Sequence, residues 1–176
     1  SHQVDAVAEL LGVKVHETPV GFKHIGALME SEPIIVGGEE SGGLSIRGHI
    51  PEKDGVLACL LMAELVAMEG KPLGRILRDL EKQTGEFHTD RINIAVPPAE
   101  KAAILRKLAG GFDKIGRFVV QRFITTDGFK FLLLEGEWVA FRASGTEPVI
   151  RCYLEAKSAA HLKKLKSACR KILTGK

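Results

Sequence analysis

The sequence is poor in several features that mark large classes of protein. Its 176 residues include only three cysteines, an odd number set far apart, so a disulfide framework is not expected. Aromatic residues make up 6% and the net charge is +3 with both signs spread along the chain, which argues against a nucleic-acid-binding surface. The longest apolar run, residues 56–68, contains Glu64 and is too short to cross a membrane. The 45% apolar and 27% charged residues are typical of a globular protein.

The cysteines and the first residues bear on where the protein works. Cys59, Cys152 and Cys169 all lie in apolar segments with regular spacing, so we expect them to be buried, reduced thiols. The first residues do not combine a basic stretch with an apolar one, the pattern of a secretory signal. These features predict a cytoplasmic protein.

The first half of the chain, residues 1–85, alternates helical and extended patterns. Residues 55–69 have apolar side chains around most of the circumference of a helix, so we expect this helix to be well buried, with Asp54 as its N-cap. A strand followed by a loop and a helix is typical of an α/β layer. The predicted elements are helices over residues 4–11, 22–30, 55–69 and 72–84 and strands over 13–16 and 33–36, of which the last is expected to be buried.

The second half, residues 86–176, predicts an antiparallel sheet. Asp127-Gly128 and Glu135-Gly136 are turn signals between consecutive strands, as in hairpins. The order β-α-β-β-β-β-α indicates an α+β domain with an open antiparallel sheet and helices on one face. Strands are predicted over residues 91–96, 117–124, 129–134, 137–141 and 149–155, and helices begin at Pro97 and after Ser158.

Residues 38–43, with the sequence GEESGG, form what we call the acidic loop. A carboxylate such as that of Glu39 accepts hydrogen bonds from two sugar hydroxyls, and Ser41 can donate or accept another. Flanking glycines allow a ligand to approach the backbone closely. Two carboxylates would repel a phosphate, so the pattern favours a neutral polyol. The alternative is a polar, glycine-rich turn without a ligand.

Residues 142–148, with the sequence RASGTEP, form what we call the arginine loop. Guanidinium groups match phosphate oxygens bidentately, hydroxyls add donors, and a glycine lets backbone N–H groups turn towards an anion. The alternative is a surface turn held by an ion pair between Arg142 and Glu147. The phosphate-binding candidates are Arg142, Ser144, Gly145, Thr146 and Arg151.

The two loops together indicate a sugar phosphate, with each loop binding one end. Lys53 precedes a predicted helix, where a positive charge is disfavoured, so it is a candidate acid/base or ligand contact. A solvated loop lysine is the alternative, and His49 has the same ambiguity. His24 and His88 have no companion ligands at metal-site spacing, so we expect them to be structural and predict no metal site in this chain.

Four segments, in this order, resemble those of the α-D-phosphohexomutases, the phosphoglucomutase/phosphomannomutase family. They are residues 18–23 (TPVGFK), the acidic loop, residues 52–55 (EKDG), and the arginine loop with Arg151. The resemblance runs essentially from end to end, and several segments in the same order are a more specific signal than any one loop.

The resemblance implies a four-domain enzyme of which this chain contains only the last part. The phosphoserine loop of the family's first domain and the aspartate-rich Mg²⁺ loop of its second have no counterpart in this sequence. We therefore expect a truncated α/β/α layered domain over residues 1–85, the end of the third domain. A TATA-box-binding-protein-like domain is expected over residues 86–176.

The resemblance also implies roles for individual residues. Many relatives end the acidic loop with a histidine where this chain has Gly43, so a histidine acid/base at that position is absent. The implied contacts are Glu39 and Ser41 with ring hydroxyls, Gly21 through its backbone, Lys53 near the reacting hydroxyl, and Arg142, Ser144, Gly145, Thr146 and Arg151 with the phosphate that is not transferred.

The implied activity is the interconversion of hexose 1-phosphate and hexose 6-phosphate, an isomerase reaction of carbohydrate metabolism. It passes through a phosphoserine and a glucose 1,6-bisphosphate-type intermediate, with Mg²⁺ in the full-length enzyme. Because the nucleophilic serine is absent from this chain, we expect it to bind substrate but to be inactive alone. The alternatives are a non-catalytic sugar-phosphate-binding module and, less favoured by the balanced charge, a nucleic-acid module. A truncated first domain would expose a sheet edge and apolar surface, which predicts a tendency to form homodimers.

Overall fold

The computed structural model describes residues 1–145 and 147–175, and these divide into two units. Val13–Thr84 form what we call the helical unit, and Ser1–Gly12 with Gly85–Lys176 form the sheet unit. The helices are α1 (His2–Leu11), α2 (Phe22–Ser31), α3 (Gly55–Glu69), α4 (Leu73–Thr84), α5 (Pro98–Ala109) and α6 (Ala159–Thr174). The strands are β1 (Val36–Gly38), β2 (Leu44–Ile46), β3 (His88–Ala95), β4 (Lys114–Ile115), β5 (Phe118–Ile124), β6 (Phe129–Leu133), β7 (Trp138–Ala143) and β8 (Val149–Ala156).

The helices predicted from apolar spacing are confirmed, and local capping explains where they begin and end. The carboxylate of Asp54 accepts hydrogen bonds from the backbone N–H groups of Val56 and Leu57, which begins α3. Gly70 ends the same helix in the left-handed conformation. At α6 the hydroxyl of Ser158 accepts a hydrogen bond from the His161 N–H. These side chains satisfy backbone groups that have no partner within the helix.

The sheet unit contains the antiparallel sheet that the sequence predicted. Its strands lie in the order β3-β8-β7-β6-β5-β4, and each neighbouring pair is antiparallel. The two-residue strand β4 was not predicted, because so short a pairing has no periodicity to detect. Side chains alternate between the faces of a strand, so Val139 and Phe141 of β7 share one face with Ile150 and Cys152 of β8.

Two helices pack on this face of the sheet. Leu108 of α5 and Leu165, Cys169 and Leu173 of α6 are buried with the strand residues in one hydrophobic cluster. We call this the core face. The fully buried members of largest volume include Phe131 and Phe141. The cluster lies entirely within the sheet unit.

Helix α1 is bound to the opposite face of the same sheet, which we call the outer face. The His2 N–H donates to the carboxylate of Glu155 at 2.9 Å, and the His2 ring lies 6.2 Å from that of Trp138. Burial opposes ionisation of Glu155, yet hydrogen bonds from Ser1, His2 and Trp138 hold its pKa below the ordinary value. Residues 1–12 therefore group with the C-terminal sheet in the structure.

The expectation that α3 is well buried is wrong for the described residues. None of the residues of α3 is buried, and Val56, Leu60 and Met68 are 70%, 63% and 80% exposed. Apolar residues on all sides of a helix predict that it is suited to burial. Burial of α3 also requires neighbouring helices or strands that cover it.

Two further expectations for the helical unit are also wrong. Residues 13–16 form neither helix nor strand. The predicted buried strand over residues 33–36 is replaced by a hairpin of β1 and β2, in which Ile35 and Val36 are both 57% exposed. A short apolar run specifies a buried strand only when other strands flank it, and in the described residues β1 pairs with β2.

The cysteines differ from the prediction at one position. Cys152 and Cys169 are buried, whereas Cys59 is exposed on α3, and all three are free thiols. Burial raises the pKa of the Cys152 thiol, which keeps it protonated. Among the described helices, none combines the length and apolar character that a membrane crossing needs.

Candidate functional site

The acidic loop joins β1 to β2 in the helical unit and is closed by its own backbone. The Glu39 N–H donates to the Gly43 carbonyl at 2.9 Å, and the Gly42 N–H donates to the Glu39 carbonyl at 3.0 Å. Glu39 is half-buried and Ser41 is exposed. The turn thus keeps a carboxylate and a hydroxyl within one short loop, as a polyol site requires.

The side chain of Lys53 lies beside this loop because residue 43 is glycine. A Cβ added at Gly43 would stand 3.1 Å from both Cβ and Cδ of Lys53, tighter than side chains normally approach. The Lys53 ammonium lies 3.8 Å from the carboxylate of Glu52, and both side chains are more than half exposed. The structure therefore brings Lys53 and the acidic loop together, and a larger residue at position 43 would displace the lysine stem.

His49 has a structural partner at the start of α3. Its Nε2 lies 3.0 Å from Oδ2 of Asp54, while Oδ1 of Asp54 caps the helix. Hydrogen bonds from the Leu57 N–H and from His49 hold the pKa of Asp54 below its usual value. The other predicted residue of this unit, Gly21, is the N-cap of α2, and its carbonyl accepts from the His24 N–H at 3.0 Å.

A shallow depression of about 510 Å³ adjoins the acidic loop within the helical unit. It is lined by the loop and by the first half of α3. Its lining residues are Ser41, Gly42, Gly43, Gly55, Ala58, Cys59 and Met62.

The arginine loop joins β7 to β8 in the sheet unit. The Ser144 N–H donates to the Val149 carbonyl at 3.0 Å, and the Ser144 hydroxyl accepts from the Glu147 N–H at 3.2 Å. Ser144 is buried and Gly145 is exposed, with open space where a side chain would stand. Thr146, also predicted to bind phosphate, lies outside the described residues. The loop is therefore pinned at Ser144 and open at Gly145.

Lys101 contacts this loop, and sequence reasoning missed it. Its ammonium donates to the carbonyl oxygens of Ser144 at 2.8 Å and of Glu147 at 3.4 Å. Lys101 lies in the first half of α5, 43 residues before Ser144, so no local spacing could have linked the two. It neutralises carbonyl dipoles that would repel a phosphate and adds a positive charge to the loop.

Arg142 and Arg151 lie directly opposite each other on β7 and β8. Alternation along β7 and β8 places them both on the outer face. Arg142 Nε lies 3.2 Å from the carboxylate of Asp127, and an Arg151 nitrogen lies 3.0 Å from that of Glu147. The alternative ion pair considered above, between Arg142 and Glu147, is replaced by these two.

The contact between Asp127 and Arg142 depends on the next residue. Gly128 has a φ of +81°, and a Cβ there would stand 2.4 Å from the Phe141 carbonyl oxygen. The turn between β5 and β6 therefore packs directly on β7, which brings Asp127 to Arg142. The dipeptide Asp127-Gly128 predicts a turn, but the sequence does not indicate which strand that turn packs on.

Comparison with known proteins identifies the family. A family model described as phosphoglucomutase/phosphomannomutase, alpha/beta/alpha domain III, matches residues 1–84, and the C-terminal domain model of the same family matches residues 92–172. The chain belongs to the phosphoglucomutase/phosphomannomutase family. It contains that family's third-domain and C-terminal-domain folds, so the expected fold class is confirmed.

The two relatives described next are longer than this chain. It is 36% identical over 159 residues to a phosphoglucomutase/phosphomannomutase of Thermococcus kodakarensis, covering 90% of this chain and 32% of the relative. It is similar to the open form of Paramecium pp63/parafusin, a phosphoglucomutase, with a TM-score of 0.79, 27% identity and coverage of 100% and 37%. The chain thus spans about a third of the length of these relatives.

A more distant structure shares the fold alone. It is the Aspergillus fumigatus N-acetylphosphoglucosamine mutase in complex with GlcNAc-6P and magnesium, at 14% identity and a TM-score of 0.58. The match covers 96% of this chain and 38% of the Aspergillus chain.

Proposed function

We propose that this chain is the substrate-binding part of a phosphoglucomutase/phosphomannomutase. In the proposed reaction a phosphoserine P–O bond breaks as a new P–O bond forms to a hydroxyl of the hexose phosphate. The resulting bisphosphate reverses its orientation, and its other phosphoryl group returns to the serine. Phosphoryl transfer depends chiefly on positioning and on charge neutralisation, and this chain contributes positioning.

The observation that carries the proposal is the cluster of positive charge around the arginine loop. Arg142 and Arg151 are adjacent across two strands, and Lys101 contacts the loop from α5. Like charges on adjacent strands are destabilising, so each guanidinium is held by a carboxylate. A phosphate would replace Asp127 and Glu147 as the partner of these arginines and would accept bidentate hydrogen bonds from the guanidinium groups.

The sugar end of the proposed substrate is assigned to the helical unit. We infer that Glu39 and Ser41 bind ring hydroxyls, that Gly21 contributes backbone contacts and that Lys53 lies near the reacting hydroxyl. The packing of Lys53 against Gly43 supports a common role for the lysine and the acidic loop. Lys53 remains a candidate acid/base or ligand contact.

The catalytic serine and the Mg²⁺ ligands are assigned to other parts of a longer protein. The sequence has no Asp-x-Asp-x-Asp run, so its residues do not fit the family's Mg²⁺ site. We therefore expect the isolated chain to have no mutase activity. A turnover rate for the purified chain comparable to that of a full-length relative would contradict this.

The test is an NMR titration of the chain with glucose 1-phosphate and with mannose 1-phosphate. We expect chemical-shift changes at residues 142–148, and we expect Arg142→Ala to abolish them. Arg170→Ala, which removes an exposed arginine on α6, is the matched control and should leave them unchanged. Absence of binding at millimolar ligand would overturn a preformed phosphate site in this chain.

A non-catalytic sugar-phosphate-binding module is the second candidate. It rests on the same arginine loop, because Arg142, Arg151 and Lys101 would hold a phosphate whether or not a catalytic group is present. A gene that continues upstream into serine and metal loops would support the enzyme, and a gene without them would support the module. For either, we propose a cytoplasmic protein with hexose phosphate as its ligand, no nucleic-acid or membrane partner, and a boundary near residue 85 between its two domains.

A further inference from the structure

Three side chains that the proposed function does not use meet on the core face of the sheet unit. Glu135 lies in the turn between β6 and β7, Glu137 directly precedes β7, and His161 lies in the first turn of α6. The Nδ1 atom of His161 is 2.8 Å from Oε1 of Glu137 and 3.7 Å from Oε2 of Glu135. The three ligand atoms lie within 4.8 Å of one another.

Glu137 is the unusual member of this cluster because it is a carboxylate only 1% exposed. Its Oε1 accepts from the His161 ring and from the Lys157 N–H at 3.1 Å. Its Oε2 is buried, and within the described residues it has no hydrogen-bond partner. A buried carboxylate oxygen without a partner is costly, and a cation bound by the Glu137 carboxylate would offset that cost.

The cluster opens into a cavity of about 400 Å³ in the sheet unit. The same cavity is lined by Phe118, whose ring packs edge-on against His161 at 5.8 Å and fixes its orientation. Arg117 also lines it, with its guanidinium 5.3 Å from the Phe118 ring centre. The cavity leaves room for water beside the three side chains.

We propose that Glu135, Glu137 and His161 form a binding site for a divalent transition-metal ion of the zinc class. An imidazole nitrogen with two carboxylate oxygens suits such an ion better than Mg²⁺, which prefers oxygen ligands alone. The fourth ligand is a water in the cavity. Binding displaces the proton from Nδ1 of His161, which is released to solvent.

The observed separations are close to those that a tetrahedral ion needs. Ligands at Zn²⁺ lie about 3.4 Å apart, given metal–ligand bonds of about 2.0–2.2 Å. The distances of 2.8 Å and 3.7 Å from His161 lie on either side of this value. Glu135 is 69% exposed, so its side chain is free to close the third separation.

The site is separate from the proposed phosphate site. Glu137 precedes β7 on the core face, whereas Arg142 lies near the other end of β7 on the outer face. The ion would join the turn between β6 and β7 to the start of α6. Its role is therefore to stabilise the sheet unit by linking these two segments.

The test is metal binding by the full 176-residue chain. We expect one equivalent of Zn²⁺ by calorimetry, a higher melting temperature with Zn²⁺ but not with equal Mg²⁺, and the visible absorption of four- or five-coordinate Co²⁺. Glu135→Gln, at an exposed position, and His161→Asn should each weaken Zn²⁺ binding at least tenfold.

The control is a double variant of another glutamate–histidine pair in the same unit, Glu86→Gln with His88→Asn, whose side chains lie 3.3 Å apart. It should leave Zn²⁺ binding unchanged. The proposal is overturned if the chain binds no Zn²⁺ at millimolar concentration, or if Glu135→Gln and His161→Asn both bind as the original chain does. It is also overturned if only the control variant loses binding, since the ion would then bind at the surface.

Discussion

The sheet unit and the helical unit use similar apolar residues with opposite results. In the sheet unit two helices cover one face of six strands, and Phe131, Phe141 and Leu165 are fully buried. In the helical unit a two-stranded hairpin accompanies three helices, and α3 has no buried residue. Apolar composition therefore does not by itself produce a core, because burial needs enough neighbouring elements to surround each apolar face.

The two units also hold their loops differently. The acidic loop is closed by two hydrogen bonds within its own backbone. The arginine loop is held by strand pairing and by the ammonium of Lys101, which comes from a separate helix. At the arginine loop, Arg142 is paired with Asp127 of a different turn and Arg151 with Glu147 of the loop itself.

The largest expected effect contrasts one core residue with one exposed residue. Phe131→Ala should lower the free energy of unfolding by about 3–5 kcal/mol, because it leaves a cavity among fully buried rings. Leu60→Ala on α3 should change it by less than about 0.5 kcal/mol. Urea unfolding followed by circular dichroism measures both.

An equal loss of unfolding free energy in Phe131→Ala and Leu60→Ala would contradict this contrast, because α3 would then be covered in solution. The homodimer expected from the exposed apolar surface would explain that result. Light scattering at high concentration decides it, and Leu60→Glu should then restore the monomer. A monomer at all concentrations would contradict dimer formation.

A smaller effect is expected at Lys101, which contacts the arginine loop. Lys101→Met should weaken binding of glucose 1-phosphate by about fivefold to tenfold, because it removes a charge-assisted contact to two loop carbonyls. Isothermal titration calorimetry measures the affinity. Lys163→Met, on the exposed side of α6, is the control, and an equal loss there would mean that only net charge matters.

The smallest effect concerns the cap of α3 in the helical unit. The pKa of Asp54 is lowered in the folded chain. The ionised carboxylate therefore contributes to folding stability above the unfolded pKa of about 3.8, and this contribution is lost as pH falls through the folded pKa. Asp54→Ala should therefore lower the melting temperature at about pH 6, and the difference should narrow near pH 2. Asp5→Ala is the control, and a pH-independent deficit would contradict a charged cap.

The sequence by itself determined the helices and most strands of the antiparallel sheet. The capping residues Asp54 and Ser158 and the glycines that follow the helices predicted their ends, since each acts on backbone groups within a few residues. Alternating apolar residues likewise predicted most strands of the sheet. The arginine and acidic loops could be recognised in the sequence as candidate binding segments because their residues are consecutive.

Only the tertiary structure decided which residues meet across long separations. Lys101 reaches Ser144, Asp127 reaches Arg142, and His161 reaches Glu137 through the pairing of strands and the packing of helices on them. It also decided that α3 and Cys59 are exposed. Periodicity records which side of an element is apolar, but the neighbours that cover that side are set by the whole fold.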